Sequence, residues 1–171
     1  MEIIPQLALI IFLVFLNGFF VASEFAIVTV RRTRIDELVK KGSKPAKLVQ
    51  KAIKNLDEYI SAIQLGVTLS SLGLGWIGDS AISGLLSPYL SIFLPEKIST
   101  ISSHTIGLGI SFILITFVLI ILGELVPKTI AYQKAEKTAL LIAAPLTVFY
   151  TALKPFVLLL NYGSVLTLKL I

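Results

Sequence analysis

The chain reads as an all-α integral membrane protein: three transmembrane helices, basic inner-surface helices between the first two, and a kinked C-terminal juxtamembrane belt helix. Three observations predict this. Of 171 residues, 56% are hydrophobic and 15% charged, with a mean hydropathy of +0.91, against roughly 25% charged residues in an average soluble domain. Apolar runs at residues 3–30, 59–76 and 106–122 are each long enough to cross a hydrocarbon core of about 30 Å. Residues 31–58 carry 9 of the 15 basic residues against 4 acids, the signature of a cytoplasmic loop.

The first span, 3–30, sets Asn17, Gly18, Ser23 and Glu24 into apolar surroundings and closes on Arg31-Arg32. Met1-Glu2 lacks the basic start of a cleavable signal peptide, so the segment is expected to remain a membrane helix. In the basic loop, Lys44-Pro45-Ala46 looks like a helix start, and Leu48, Ile53 and Leu56 recur at a loosely helical period. Short amphipathic helices along the inner surface are expected, with a solvated connector as the competing reading. The second span, 59–76, is rich in Gly, Ser and Thr. Gly75, Gly78, Gly84 and Pro88 are expected to break the chain into a separate interfacial or re-entrant helix over 80–93, followed by an external loop at 96–104. Trp76 and Tyr59 are expected to anchor at the membrane interfaces.

Within the third run, 106–122, the only polar side chains are Ser111 and Thr116. With the basic loop inside, the N-terminus lies outside, and Lys128, Lys134 and Lys137 put the end of this span inside. Residues 138–171 are apolar enough to cross, but Pro145 and Pro155 divide them into pieces too short to span. A kinked helix wrapped around the bundle at the inner leaflet is expected, with a fourth crossing as the alternative.

The third run ends in Gly123-Glu124-Leu125-Val126-Pro127-Lys128. A carboxylate at membrane depth costs at least a few kcal/mol, so it faces a partner, a cavity or an ion. Pro127 has no N–H to donate to the Gly123 carbonyl, which leaves that oxygen available. Glu24 lies 7 residues before Arg31, Glu124 lies 10 before Lys134, and Thr68, Ser70 and Ser71 follow Glu58 by 10 to 13. All three spans therefore bring oxygen donors to overlapping depths. On the second span, Ala62, Gly66, Ser70 and Gly73 form a small-residue strip suited to close packing. Gln64, Thr68, Ser71 and Gly75 form a polar face about 200° away.

Such a set suits a hard cation like Mg²⁺, which takes about six oxygens from one or two carboxylates, hydroxyls, carbonyls and waters. With one His and no Cys, zinc and copper sites are disfavoured, and the sequence has no His-Glu-x-x-His motif, no pair of intramembrane Asp residues and no glycine-rich phosphate loop. No enzymatic activity is expected. The bland readings are that Ser and Thr bond the preceding turn, that Asn17 bonds between helices, that Glu24 pairs with Arg31 or Lys128, and that Glu124 pairs with Lys128. For Glu24 the ion pair is the preferred reading. His104 is expected to be merely exposed. The basic loop, 31–54, lacks the interleaved aromatics of a nucleic-acid surface and suits anionic lipid heads.

Three ordered strings, Leu16-Asn17-Gly18-Phe19-Phe20-Val21-Ala22-Ser23-Glu24-Phe25-Ala26, Gln64 through Gly78, and Gly123 through Lys128, together resemble the transmembrane domain of the CorC/CNNM (cyclin M) family. The resemblance covers residues 1–171 as a single domain. It implies a homodimeric Mg²⁺ transporter of the plasma membrane, generally described as exporting Mg²⁺ with Na⁺ as the coupling ion, with cytoplasmic CBS domains following Ile171 and a cytoplasmic C-terminus. Carried over by motif, it places the acidic ligand on Glu124, a hydroxyl ligand on Ser23, and further ligands within 67–71. Val67 cannot coordinate, so Thr68 and Ser71 are taken, with Ser70 in reserve and the Gly123 carbonyl added. Asn17, Glu24 and Pro127 are supporting residues. The rival readings are a membrane scaffold or regulator of another transporter and, less favoured, a channel.

Overall fold

The computed structural model describes residues 3–93, 109 and 112–168, and among these there is no strand. Helix α1, Ile3–Thr29, is the first span. Its 27 residues measure about 40 Å at about 1.5 Å per residue. After a turn at Arg31 come α2, Arg32–Lys40, and α3, Lys44–Lys54. The link between them is a Schellman close: Gly42 at φ +86°, with Ser43 N donating to Leu38 O and Gly42 N to Val39 O. Ser43 then caps α3 by accepting from Ala46 N at 3.4 Å, with Pro45 in the first turn, as the Lys44-Pro45 pattern predicts.

These two helices are docked, so the solvated-connector reading fails. Ile35, Ala46, Val49 and Ala52 are buried, most of them in a cluster with Ala26, Val30, Ala131, Ala139 and Ala143. The apolar face of α3 is thus used on protein, and its lysines point outward. Arg34 ties this layer to the belt through Glu136 (3.2 Å), and also pairs with Glu37 (2.9 Å). Both carboxylates raise its pKa, Glu37 foremost.

Helix α4, Leu56–Phe93, runs unbroken for 38 residues, which corrects the expected break at Gly75 and Gly78 and the separate helix over 80–93. Glycine lowers helix propensity by only about 1 kcal/mol, and in a membrane no water competes for the freed backbone groups. The expected external loop, with His104, lies outside the described residues. The small-residue strip of α4 packs within the chain: a Cβ on Gly66 would meet the Phe20 ring at 2.5 Å, and one on Gly73 would meet Leu13 at 3.2 Å.

The third span is α5, Phe112–Gln133. Its middle, Leu119–Leu125, is wound as a π-helix, where Val126 N reaches back to Ile121 O. A proline ring clashes with the carbonyl four residues earlier. Widening the turn ahead of Pro127 relieves Gly123 of that clash.

Helices α6, Ala135–Ala152, and α7, Lys154–Leu168, form the belt, bent by 79° at Leu153. The kink is as expected in kind, but there is one break where two were read: Pro145 sits inside α6 without ending it, and the bend falls just before Pro155. Among the described residues, three helices are long and apolar enough to cross, or four if the bent pair is one span.

The belt carries the second core. Phe20, Ile27, Tyr59, Ile63, Leu146, Tyr150 and Val157 cluster there, with the Tyr59 and Tyr150 rings stacked at 4.4 Å. Tyr59 is fully buried, which overturns its reading as an interface anchor, because α6 folds back over it. Trp76, by contrast, is exposed. The Tyr150 hydroxyl donates to Glu58. That bond, followed by burial and the Glu58 charge, pushes its pKa up to about 12. Ser61 donates to Asn161 Oδ1 at 2.6 Å, joining α4 to α7.

Two predictions follow from this packing. Phe20 is held by Phe19 and Phe149 and cannot yield, so Gly66→Ala should destabilise the fold by about 1–3 kcal/mol, read as a thermal shift in detergent. Gly75→Ala, with open space around it, should not destabilise. Tyr150→Phe strands the Glu58 carboxylate and should cost about 2 kcal/mol. Because the folded value near 12 exceeds the ordinary value of about 10, this contribution is complete below about pH 10 and is lost as pH rises through about 12. Unfolding midpoints of the two proteins should therefore converge at high pH.

Candidate functional site

The site is built where the three spans meet, at Asn17. This side chain is 3% exposed in the middle of α1, a position where an unpaired amide is costly. It is fully used. Asn17 Nδ2 donates to Gly123 O of α5 at 3.0 Å, and Asn17 Oδ1 accepts from Ser71 Oγ of α4 at 3.2 Å. One amide thereby joins all three spans.

Two glycines permit that approach. A Cβ on Gly18 would lie 2.9 Å from Pro127 Cγ and 3.3 Å from Leu122 O, and a Cβ on Gly123 would lie 3.1 Å from Asn17 Nδ2. The sequence strings around Gly18 and Gly123 are therefore two halves of one contact. Pro127 has no N–H to give the Gly123 carbonyl, and that oxygen accepts from Asn17 of α1.

The remaining expected site residues divide into those the structure brings to Asn17 and those it does not. Ser71 and Gly123 are brought to it directly, and Glu124 follows Gly123 in the chain. The Glu124 side chain is exposed, and among the described residues it has neither an ion pair nor a hydrogen bond. The alternative pairing with Lys128 is not formed: the Lys128 ammonium lies 4.4 Å over the Phe25 ring, a cation–π contact.

Ser23 is fully buried and donates to Phe19 O at 2.7 Å. Thr68 donates to Gln64 O and Ser70 to Gly66 O, each at 2.8 Å. All three bond the preceding turn, though each oxygen keeps lone pairs that a cation can use. Ser70 stands on the strip packed against α1, apart from Thr68 and Ser71. Ser23 lies about 120° around α1 from Asn17 at about 100° per residue. Glu24, seven residues on from Asn17, returns to the same face. The expected ion pair of Glu24 with Arg31 or Lys128 is absent: among the described residues the ion pairs are those of Arg34. Arg31 stands about 10 Å further along the helix axis, and Lys128 is held over Phe25.

Sequence reasoning underrated Thr116. On the side of Ser71 away from the basic helices, a cavity of about 350 Å³ opens between α4 and α5, with Ser71 and Thr116 as its hydroxyl-bearing walls among Leu74, Ile115 and Leu119. The available signal was that Thr116 is one of two polar residues in an apolar run. No cluster of three or more His, Cys, Asp or Glu occurs among the described residues, so the oxygens gathered here are amide, hydroxyl and carbonyl, with one carboxylate alongside.

Comparison with known proteins places this geometry. The profile of the cyclin M transmembrane N-terminal domain matches residues 8–171. The chain is 50% identical over 161 residues to the UPF0053 protein YhdT of Bacillus subtilis (strain 168), covering 94% of this chain and 34% of that protein. It is 46% identical over 166 residues to the UPF0053 protein YhdP of the same organism, covering 97% and 37%. It is 34% identical over 171 residues to the uncharacterized protein Rv1841c of Mycobacterium tuberculosis (strain ATCC 25618 / H37Rv), covering 100% and 48%. The chain spans about a third of the length of the Bacillus relatives. With a profile match across nearly all of its length and three spans joined at the motif residues, the chain belongs to the family of the cyclin M transmembrane N-terminal domain.

Proposed function

We propose that this chain is the membrane domain of a magnesium transporter, exporting Mg²⁺ with Na⁺ as the coupling ion by alternating access. In this reading it works as a plasma-membrane homodimer with its N-terminus outside and cytoplasmic CBS domains after residue 171. The observation that carries the proposal is the Asn17 bridge, which brings together the Gly123 carbonyl and the Ser71 hydroxyl, with an unpaired carboxylate, Glu124, next to Gly123 in the chain. Mg²⁺ as cargo takes oxygens of these kinds and keeps part of its water. The Ser71 and Gly123 oxygens and the Glu124 carboxylate form the core of its site, and the cavity walled by Thr116 is its outward path. Ser23, Thr68 and Ser70 join only if the helices turn.

Alternating access moves helices about a fixed site that is typically formed by an irregular or interrupted helix. In α4 the glycines leave the helix continuous, so the element suited to that task is the π-helical turn Leu119–Leu125 of α5, a geometry frequent at functional sites. Only 6% of the α5 window is buried, against 28% for the other two spans. A face carrying Glu124 cannot rest against lipid, which supports a second copy of the chain covering it.

The scaffold reading has one observation in its favour, the return of the Ser23, Thr68 and Ser70 hydroxyls into their own helices. Binding and flux separate the two. Glu124→Ala should abolish Mg²⁺ flux in proteoliposomes and saturable Mg²⁺ binding by calorimetry, while shifting stability by less than about 0.5 kcal/mol, because the carboxylate has no partner to lose. Full flux by this variant would end the transporter proposal. Asn17→Ala should behave differently, costing about 1–3 kcal/mol of stability by stranding the Gly123 carbonyl and Ser71 as well as reducing flux. A variant that kept wild-type stability would show that the bridge does not hold the spans together.

A further inference from the structure

We infer that the chain carries a discrete binding site for one anionic phospholipid, in the angle between α1, α5 and α6. Two cavities carry the inference. The first, of about 410 Å³, lies at the end of the spans beside the basic helices. Arg31, Arg34, Lys134 and Lys137 stand around it against a single acid, Glu136. Arg34 is neutralised by Glu136 and Glu37. Arg31, Lys134 and Lys137 are exposed and have no ion pair or side-chain hydrogen bond among the described residues. The cavity therefore holds an uncompensated positive charge from two separate parts of the chain.

The second cavity, of about 470 Å³, is a groove whose wall is apolar except for the Thr138 hydroxyl, and it includes Phe15, Ala22, Ile130 and Leu141. The same three elements line both cavities, and the helical register aligns them. On α1, Phe15 and Ala22 of the groove and Thr29 of the basic cavity recur every seven residues, on one face. On α6, Lys137 and Leu141 are one turn apart, and Lys134 stands immediately before the helix as its N-cap. Ala22 and Thr29 are separated by about 10 Å along the axis. A groove of hydrocarbon character thus runs at membrane depth into a basic cavity at the interface.

That combination commits the occupant. A soluble phosphate has no use for the groove, and a neutral lipid has no use for three unpaired cations, whereas a phospholipid with an anionic head group satisfies both. The site differs from a diffuse attraction of the whole basic loop to the inner leaflet. The lysines of α3 point away from it, and Lys134 and Lys137 come from the far end of the sequence.

The test is native mass spectrometry of the detergent-purified protein titrated with phosphatidylglycerol or phosphatidylcholine. The wild type should retain one phosphatidylglycerol per chain in preference to phosphatidylcholine. Lys134→Gln with Lys137→Gln should weaken that retention on the order of tenfold and leave phosphatidylcholine unchanged. Lys47→Gln with Lys51→Gln, on the outward face of α3, should have little effect. Leu141→Trp, filling the groove at an exposed position, should also reduce retention; if it fails to fold, the lysine pair decides. Equal retention of the two lipids, no loss in the Lys134 and Lys137 variant, or displacement by millimolar glycerol phosphate would overturn the proposal. So would a Leu141→Trp protein that keeps its lipid and loses only its dimer, since a second copy would then be the occupant. Mg²⁺ flux measured on the same variants keeps this outcome distinct from the transport reading.

Discussion

Three apolar helices in lipid have little reason to prefer one another over the acyl chains around them, because the hydrophobic effect does not operate between them. Here the preference comes from a polar side chain that cannot be left alone. Asn17 is 3% exposed, and its amide finds a carbonyl on α5 and a hydroxyl on α4. Any sliding or rotation of one span against the others strands a buried polar group, so the register of the whole bundle is fixed at one residue. Gly18 and Gly123 belong to the same constraint, since the bridge forms only when α1 and α5 approach without side chains between them.

A second constraint operates at the basic end. The belt helices cannot pack by apolar contact with lipid alone and also stay in place. They are pinned by Tyr150 to Glu58 and by Asn161 to Ser61, both at the start of α4, and by Glu136 to Arg34 of α2. The stacked pair Tyr59 and Tyr150 lies between these ties. The result is a rigid collar of α2, α3, α6 and the start of α4 around the ends of α1 and α5. The span that escapes it is the middle of α5, which is π-wound and poorly buried, and so is best able to change its winding.

Features that depend on local chemistry were legible in the sequence. The Lys44 helix start rests on Ser43 and Pro45, the three spans on runs of apolar residues, and the prominence of Gly123-Glu124 and Pro127 on the incompatibility of a proline with its preceding turn. Features that depend on what folds back were not. Tyr59 has the sequence context of an interface anchor, and only the return of α6, 91 residues later in the case of Tyr150, buries it. The glycines of α4 would mark breaks in water, where exposed backbone has other partners, but not in a helix whose backbone has nowhere else to bond. Glu24 was assigned to an ion pair from charge proximity in sequence, but Lys128 sits instead over the Phe25 face, a choice set by the relative rotation of α1 and α5. The hydroxyls were the hardest case. Ser70 and Ser71 are adjacent in sequence and alike in chemistry, yet one bonds its own helix and the other bonds Asn17, because a step of about 100° separates the packed strip from the polar face.

The position of Glu124 sets the terms for any function. A carboxylate on a span that is almost wholly uncovered within one chain must be met by water, by a cation or by another polar surface, since lipid would hold it only at a cost of several kcal/mol. Glu58, Glu37 and Glu136 each bond a neighbour here, whereas, among the described residues, Glu24 and Glu124, on α1 and α5, do not. Glu124 has no such partner among the described residues, although Lys128 is one turn away and its ammonium is within a flexible stem's reach. The local sequence therefore supplies a neutralising group and the fold directs it elsewhere, onto Phe25. That arrangement leaves the carboxylate unpaired on the residue that follows Gly123.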